Sequence, residues 1–153
     1  MNESLFAWSD EFEVGHEEMD ETHREFVLCV DALLRASDAQ LAARLDALAE
    51  HAKRHFAEED EAMRRGAYNA GGCHVEEHAA VLKSLDEVRV ALREGRPAVV
   101  RAFAEALADW FPEHARVMDL GLARWMVQQR LGGAPILIRR RIGAVAHQAV
   151  GAQ

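Results

Sequence analysis

Four segments of this chain repeat apolar residues at alternating three- and four-residue spacing, and near one end of every segment the apolar stripe turns polar. Met19, His23, Phe26, Val30 and Leu33 form the first stripe; Leu41, Leu45, Leu48, Ala52, His55, Glu59 and Ala62 form the second. The third runs His74, His78, Val81, Leu85, Val88, Leu92, and the fourth Val100, Phe103, Leu107, Trp110, His114, Val117. That period is the signature of helices packed along a shared seam. Breakers separate the segments: Ser37-Asp38, then Gly66 with Gly71-Gly72, then Gly95-Arg96-Pro97, and finally Gly132-Gly133 with Pro135. No alternating run is long enough to suggest a strand. The predicted class is all-α, an antiparallel up-down-up-down four-helix bundle, because short connections make sequential helices antiparallel neighbours.

The polar seam positions carry the chemistry. An unpaired imidazole or carboxylate in a seam is costly, so bundles normally exclude both. Counted from the opposite end of the bundle, His23 is 13 residues from Ala36, His55 is 16 from Ala39, His78 is 16 from Glu94 and His114 is 17 from Pro97. At about 1.5 Å per residue all four lie roughly 20 to 25 Å along the helices, in one layer. Glu58, Glu59 and Asp60 are all acidic, but only Glu59 shares the seam with His55. Asp119 is harder to place, since five residues beyond His114 is about 140° of α-helical rotation. His23, His55, Glu59, His74, His78, His114 and Asp119 are the candidate ligand set. Imidazole with carboxylate suits a redox-active transition metal, and seven groups exceed what one ion takes.

Each motif alone is weak. A His and Glu four residues apart commonly stabilise an exposed helix, and paired histidines such as His74 and His78 occur by chance on surfaces. The joint pattern of stripe, height and ligand type is what singles them out. His16 and His147 fall outside the helices and His51 falls off the stripe, so all three are expected at the surface. Cys29 is expected to be a small core side chain, and Cys73 a bystander beside His74 in a layer already filled by imidazoles. Met63 and Tyr68 are expected in core or loop.

The rest of the sequence bounds the setting. A chain of 153 residues, half of them hydrophobic, suffices for one folded domain, expected over residues 1–130. Two cysteines make no disulfide framework, no stretch approaches a membrane span, and the N-terminus is acidic where a secretion signal is basic; a cytoplasmic protein is expected. The formal charge of −8 argues against nucleic acid as a partner. The charge is unevenly placed: Arg130, Arg139, Arg140 and Arg141 lie in a stretch without acids, leaving −12 on the remainder. The extension, residues 131–153, includes the basic amphipathic run 136–146. It is expected either to pack on the acidic bundle or to dock an acidic protein or membrane surface.

These blocks resemble the hemerythrins, most closely the single-domain bacterial ones. The similarity covers roughly residues 8 to 126. It rests on Trp8 with VGHEEMDETH, HFAEE followed by Met63 and Tyr68, HVEEH, and Trp110 with HARVMD. The resemblance implies two iron ions joined by a bridging oxide or hydroxide. It implies that His74, His78 and His114 hold one iron, that His23 and His55 hold the other, and that Glu59 and Asp119 bridge them. Two six-coordinate irons offer about 12 positions, and these ligands with the bridge fill all but one. The vacancy would fall on the iron of His23 and His55, where O2 would bind reversibly.

Phe56, Trp110, Phe111 and Ala115 are the candidates for the O2 pocket, the aromatic rings excluding water. Two residues depart from the family pattern. Ala115 replaces the usual bulky aliphatic residue, which would widen access, and Pro112 should kink the fourth helix two residues before His114. The function expected is therefore a non-haem di-iron protein that binds O2 reversibly for storage, delivery or sensing. A di-iron peroxide or nitric oxide reductase is the enzymatic alternative, and an interaction module with a structural metal, for example zinc, is the third.

Overall fold

The structure is a computed structural model that describes residues 3–132. Four long helical columns form an antiparallel bundle. Helix α1 spans Glu17–Leu34, α2 Leu41–Gly66, α3 Gly71–Arg93 and α4 Pro97–His114. A π turn, Ala115–Asp119, continues α4 without interruption into α5, Leu120–Arg130, so the fourth column is composite. Each column packs on its sequential neighbour, and α4 closes the ring against α1. Among the described residues there is no strand, and no helix is long and apolar enough to cross a membrane. His147 and the basic run 136–146 lie outside the described residues.

The breakers act through local chemistry. His16 caps α1, its Nδ1 accepting the Met19 amide at 3.3 Å, with Glu17, Glu18 and Asp20 in the first turn, where acids favour the helix dipole. Pro97 opens α4 from the first position, where its missing N–H costs nothing. Helix α2 ends through Ala67, which adopts the left-handed conformation at φ 51° that glycine usually fills. Gly66 cannot carry a side chain there: a Cβ would lie 1.7 Å from Trp125 of α5.

Two apolar cores flank the polar layer. The larger one, at the α1–α2 and α3–α4 connections, is built from Phe26, Val30, Leu33, Leu41, Leu45, Leu48, Leu85, Val100 and Leu107, all buried. Each such side chain contributes about 1.5 to 3 kcal/mol relative to exposure. The smaller one closes the opposite end with Val14, Met19, Met63, Leu122 and Ala123, packed beneath Tyr68, Trp125 and Met126. The N-terminal arm lies across the fourth column. Its Leu5 and Phe6 amides donate to Asp31 of α1 at 2.7 and 3.0 Å, and Phe12 meets Phe111 edge-on at 5.4 Å.

Several sequence expectations need correction. His16 and His51 are not surface residues; they are 3% and 6% exposed. His16 is enclosed because it is the α1 cap, and His51 because it packs between the rings of Phe26 and His55, which a two-position stripe does not register. Val117 continues the fourth stripe in sequence but is 56% exposed, since the π turn changes the register of the column after His114. The inward positions there are Ala115, Asp119, Leu122 and Ala123. Pro112 sits within α4, and the irregularity appears three residues later as the π turn.

Candidate metal centre

Between the two cores all seven candidate residues converge, and all seven are buried. One ligand atom each from Glu59, His74, His78, His114 and Asp119 can be chosen so that all lie within 4.8 Å of one another; the same holds for His23, His55 and Glu59. The carboxylates sort the histidines into two sets. Glu59 Oε1 is 3.3 Å from His23 Nε2 and 2.8 Å from His55 Nε2, whereas its Oε2 is 3.4 Å from His74 Nε2 and 3.3 Å from His78 Nε2. Asp119 does the same: Oδ2 is 3.3 Å from His23 Nε2, while Oδ1 is 2.9 Å from His74 Nε2 and 3.2 Å from His114 Nε2. Each carboxylate therefore turns one oxygen toward each set, as a residue shared by two ions must.

The π turn is what aims Asp119. In it the Leu120 amide bonds to the Ala115 carbonyl five residues back, so residues five apart come onto one face. On an uninterrupted α-helix Asp119 would point about 140° away from His114. Residue spacing read as α-helix turns Asp119 away from the layer, and in the sequence only the resemblance carried by HARVMD speaks for it.

Protein hydrogen bonds do not satisfy this layer. His23 Nδ1, His55 Nδ1, both nitrogens of His74, Glu59 Oε2 and both oxygens of Asp119 are buried without a hydrogen-bond partner among the described residues. His74 Nε2 and Asp119 Oδ1 are 2.9 Å apart yet not aligned as donor and acceptor. His78 and His114 approach Nε2 to Nε2 at 3.2 Å, while the Nδ1 of each faces a carboxylate, Asp60 at 2.7 Å and Glu77 at 2.9 Å. A neutral ring that donates from Nδ1 keeps a lone pair on Nε2, so the two lone pairs confront each other and Glu59. A cation between them resolves that confrontation, and the donor set fits a pair of metal ions.

The charges of these side chains follow the same geometry. Burial lowers the pKa of His74, but Asp119 and Glu59 outweigh it and raise it to about 9. Against the same burial, His23 is raised by Asp119 and Glu59, and His114 by Asp119 and Glu77. Burial would raise Glu59, but four surrounding histidines hold it well below the usual carboxylate range. Asp119 is also lowered, although burial and Glu59 oppose the shift.

Hemerythrin HHE cation binding domains match residues 14–126. The chain is 34% identical over 125 residues to a bacteriohemerythrin of Ralstonia nicotianae, covering 82% of this chain and 91% of the relative. The chain belongs to the hemerythrin family. A myohemerythrin of Sipunculus nudus is 25% identical over 114 residues, covering 74% of this chain and 88% of that protein. A bacteriohemerythrin of Stenotrophomonas maltophilia is 24% identical over 124 residues, covering 78% and 80%. The cofactor of a hemerythrin is a non-haem di-iron centre, and hemerythrins are oxygen-binding proteins.

The surroundings of this hemerythrin's layer include residues that the stripe did not flag. Asp60 and Glu77 flank the seam next to Glu59 and His78, and Glu77 also accepts from Trp110 Nε1 at 2.6 Å. The four pocket candidates line the layer on the side of the larger core. Phe56 stacks on His78 at 4.1 Å and 7°, Trp110 stacks on His114 at 4.3 Å, Phe111 meets His23 edge-on at 5.4 Å, and Ala115 is fully buried. A cavity of about 290 Å³ opens on the opposite side, between α1, α2 and Met126; His16, Met19 and Ala62 line it, and it reaches His55 and Glu59. Cys29 packs half-buried against the larger core, and Cys73 is exposed.

Proposed function

We propose that this chain binds O2 reversibly at a pair of irons held by His23, His55, Glu59, His74, His78, His114 and Asp119, with Glu59 and Asp119 as bridges. The observation that carries this reading is the division of both carboxylates between two sets of histidines, of two and three members. The set with two histidines has the fewer protein donors, so the open position for O2 belongs there. The iron pair supplies the electrons for oxygen binding; the chain's own residues orient it and control what reaches it. Phe56, Phe111 and Trp110 exclude water on the core side, which favours release of the ligand over proton-driven decay. Five imidazoles and only two carboxylates also distinguish this layer from the carboxylate-rich di-iron sites of oxidising bundles.

The test is a cycle of reduction, exposure to air and degassing, followed by optical absorption with metal analysis. Two irons per chain and a colour that appears in air and fades under inert gas are expected. Irreversible oxidation on first exposure, or sustained turnover with a reductant at rates of about 1 to 1,000 per second, would replace the carrier by a reductase. Ala115 is buried in the larger core next to the layer, and Ala115→Leu, which adds bulk to that wall, is expected to slow oxidative decay of the oxygenated form.

A further inference from the structure

Support of the seven side chains is lopsided. On the side of three histidines, His78 Nδ1 donates to Asp60 Oδ1 at 2.7 Å and His114 Nδ1 donates to Glu77 Oε1 at 2.9 Å. Glu77 is itself held by the Trp110 indole N–H. On the side of two histidines, His23 Nδ1 and His55 Nδ1 are buried with no hydrogen-bond partner among the described residues. An imidazole that donates to a carboxylate gains imidazolate character and becomes a stronger, more negative ligand. Two such pairs bring two negative charges into hydrogen-bonding contact with the imidazoles of one half; on the other half the nearby Asp20, which acts on His23 electrostatically, accepts instead from the Val14 and Gly15 amides.

We propose that Asp60 and Glu77 are positioning residues that bias the iron pair, so that the half bounded by His74, His78 and His114 is the more readily oxidised. When an external one-electron donor, such as an electrode, reduces a diferric pair by one electron, the remaining ferric ion would stay in that half and the ferrous ion would lie with His23 and His55. The half with the open position is then the one reduced first, which poises it to meet O2. The inference rests on the ligand assignment proposed above and adds a polarity to it.

The experiment replaces the two carboxylates in the iron-loaded, full-length chain. Asp60→Asn and Glu77→Gln each keep a carbonyl oxygen that can accept from the imidazole, so ring orientation survives while the charge is lost. Glu76→Gln, exposed and one residue from Glu77, is the control. Reduction potentials are read by spectroelectrochemistry, and the one-electron-reduced form by Mössbauer spectroscopy. A tenfold loss of preference for ferric over ferrous iron reads as an upward shift of about 59 mV, and at least that is expected in each variant but not in the control. In the Mössbauer spectrum, Asp60→Asn should change the ferric doublet and leave the ferrous one in place.

Unchanged potentials in variants that hold two irons, or a perturbed ferrous doublet with an unaltered ferric one, overturn the proposal. If Asp60→Asn loses iron, Glu77→Gln carries the same test alone. Failure of the carrier reading is visible separately, as a wild-type protein lacking two irons or lacking reversible O2 binding.

Discussion

Deleting Val117 tests the account of Asp119 directly. Val117 lies in the π turn with its side chain largely in solvent, so its loss removes little packing. The structural consequence follows from rotation. With five residues between them in a regular α-helix, His114 and the aspartate would stand about 140° apart; with four, about 40°. The π turn brings the five-residue spacing back onto one face, and deleting one residue reaches the same face by ordinary α-helix. The deletion should therefore keep the contacts of Asp119 with His23, His74 and His114, and with them the burial of Leu122 and Ala123 downstream. Two irons per chain and a melting temperature within a few degrees of wild type are expected. The opposite change, one alanine inserted after Val117, adds about 100° and swings the carboxylate out of the layer. The insertion should cost at least the 10- to 100-fold in metal affinity typical of losing a supporting group. Iron content and competition with a chelator measure both. A deletion variant that folds but drops an iron, or an insertion variant that binds iron like the wild type, would refute the reasoning.

Other expectations follow from groups around the layer. Glu59→Ala removes the oxygen that faces each histidine set and should lose at least one iron, whereas Glu58→Ala, exposed on the same helix, should keep two by metal analysis. Burial first, then His55 and Arg54, lowers the pKa of His51 to about 4. Its unfolded value is near 6.5, so below that pH the unfolded chain binds more protons than the folded one. Stability from this group is complete above 6.5 and falls as pH drops toward 4, with about 2 kcal/mol lost by pH 5. Urea melts of wild type against His51→Gln should show that slope flattened. Gly66→Ala drives a methyl into Trp125 and should cost about 1 to 3 kcal/mol, while Ala67→Gly relieves a left-handed alanine and should gain up to about 1 kcal/mol, both read from thermal melts.

The bundle and six of the seven polar positions could be read from the sequence because seam period and helix height are both properties of chain spacing. His23, His55, Glu59, His74, His78 and His114 all fall where the 3,4 stripe puts them. Asp119 escaped because spacing converts to direction only when the helix type is known, and the π turn changes it. Asp60 and Glu77 escaped for a different reason. They sit on the flanks of α2 and α3, and what they do depends on the neighbouring helix, since each partners a histidine across an interface. His51 likewise looked polar and off-stripe, yet the contact between α1 and α2 is wide enough to enclose it beside Phe26.

The distribution of the seven groups along the chain also dictates an order of assembly. His23, His55 and Glu59 belong to the first hairpin, whereas Asp119 follows His23 by 96 residues. A chain synthesised from its N-terminus exposes three ligands long before the fourth column exists, and a hairpin alone cannot close a coordination sphere. On the proposed ligand set, iron is expected to be retained last, after α4 and α5 have docked. A translation product that stops short of the π turn would be a bundle fragment lacking Asp119, and on this ligand set it is expected not to keep the iron pair.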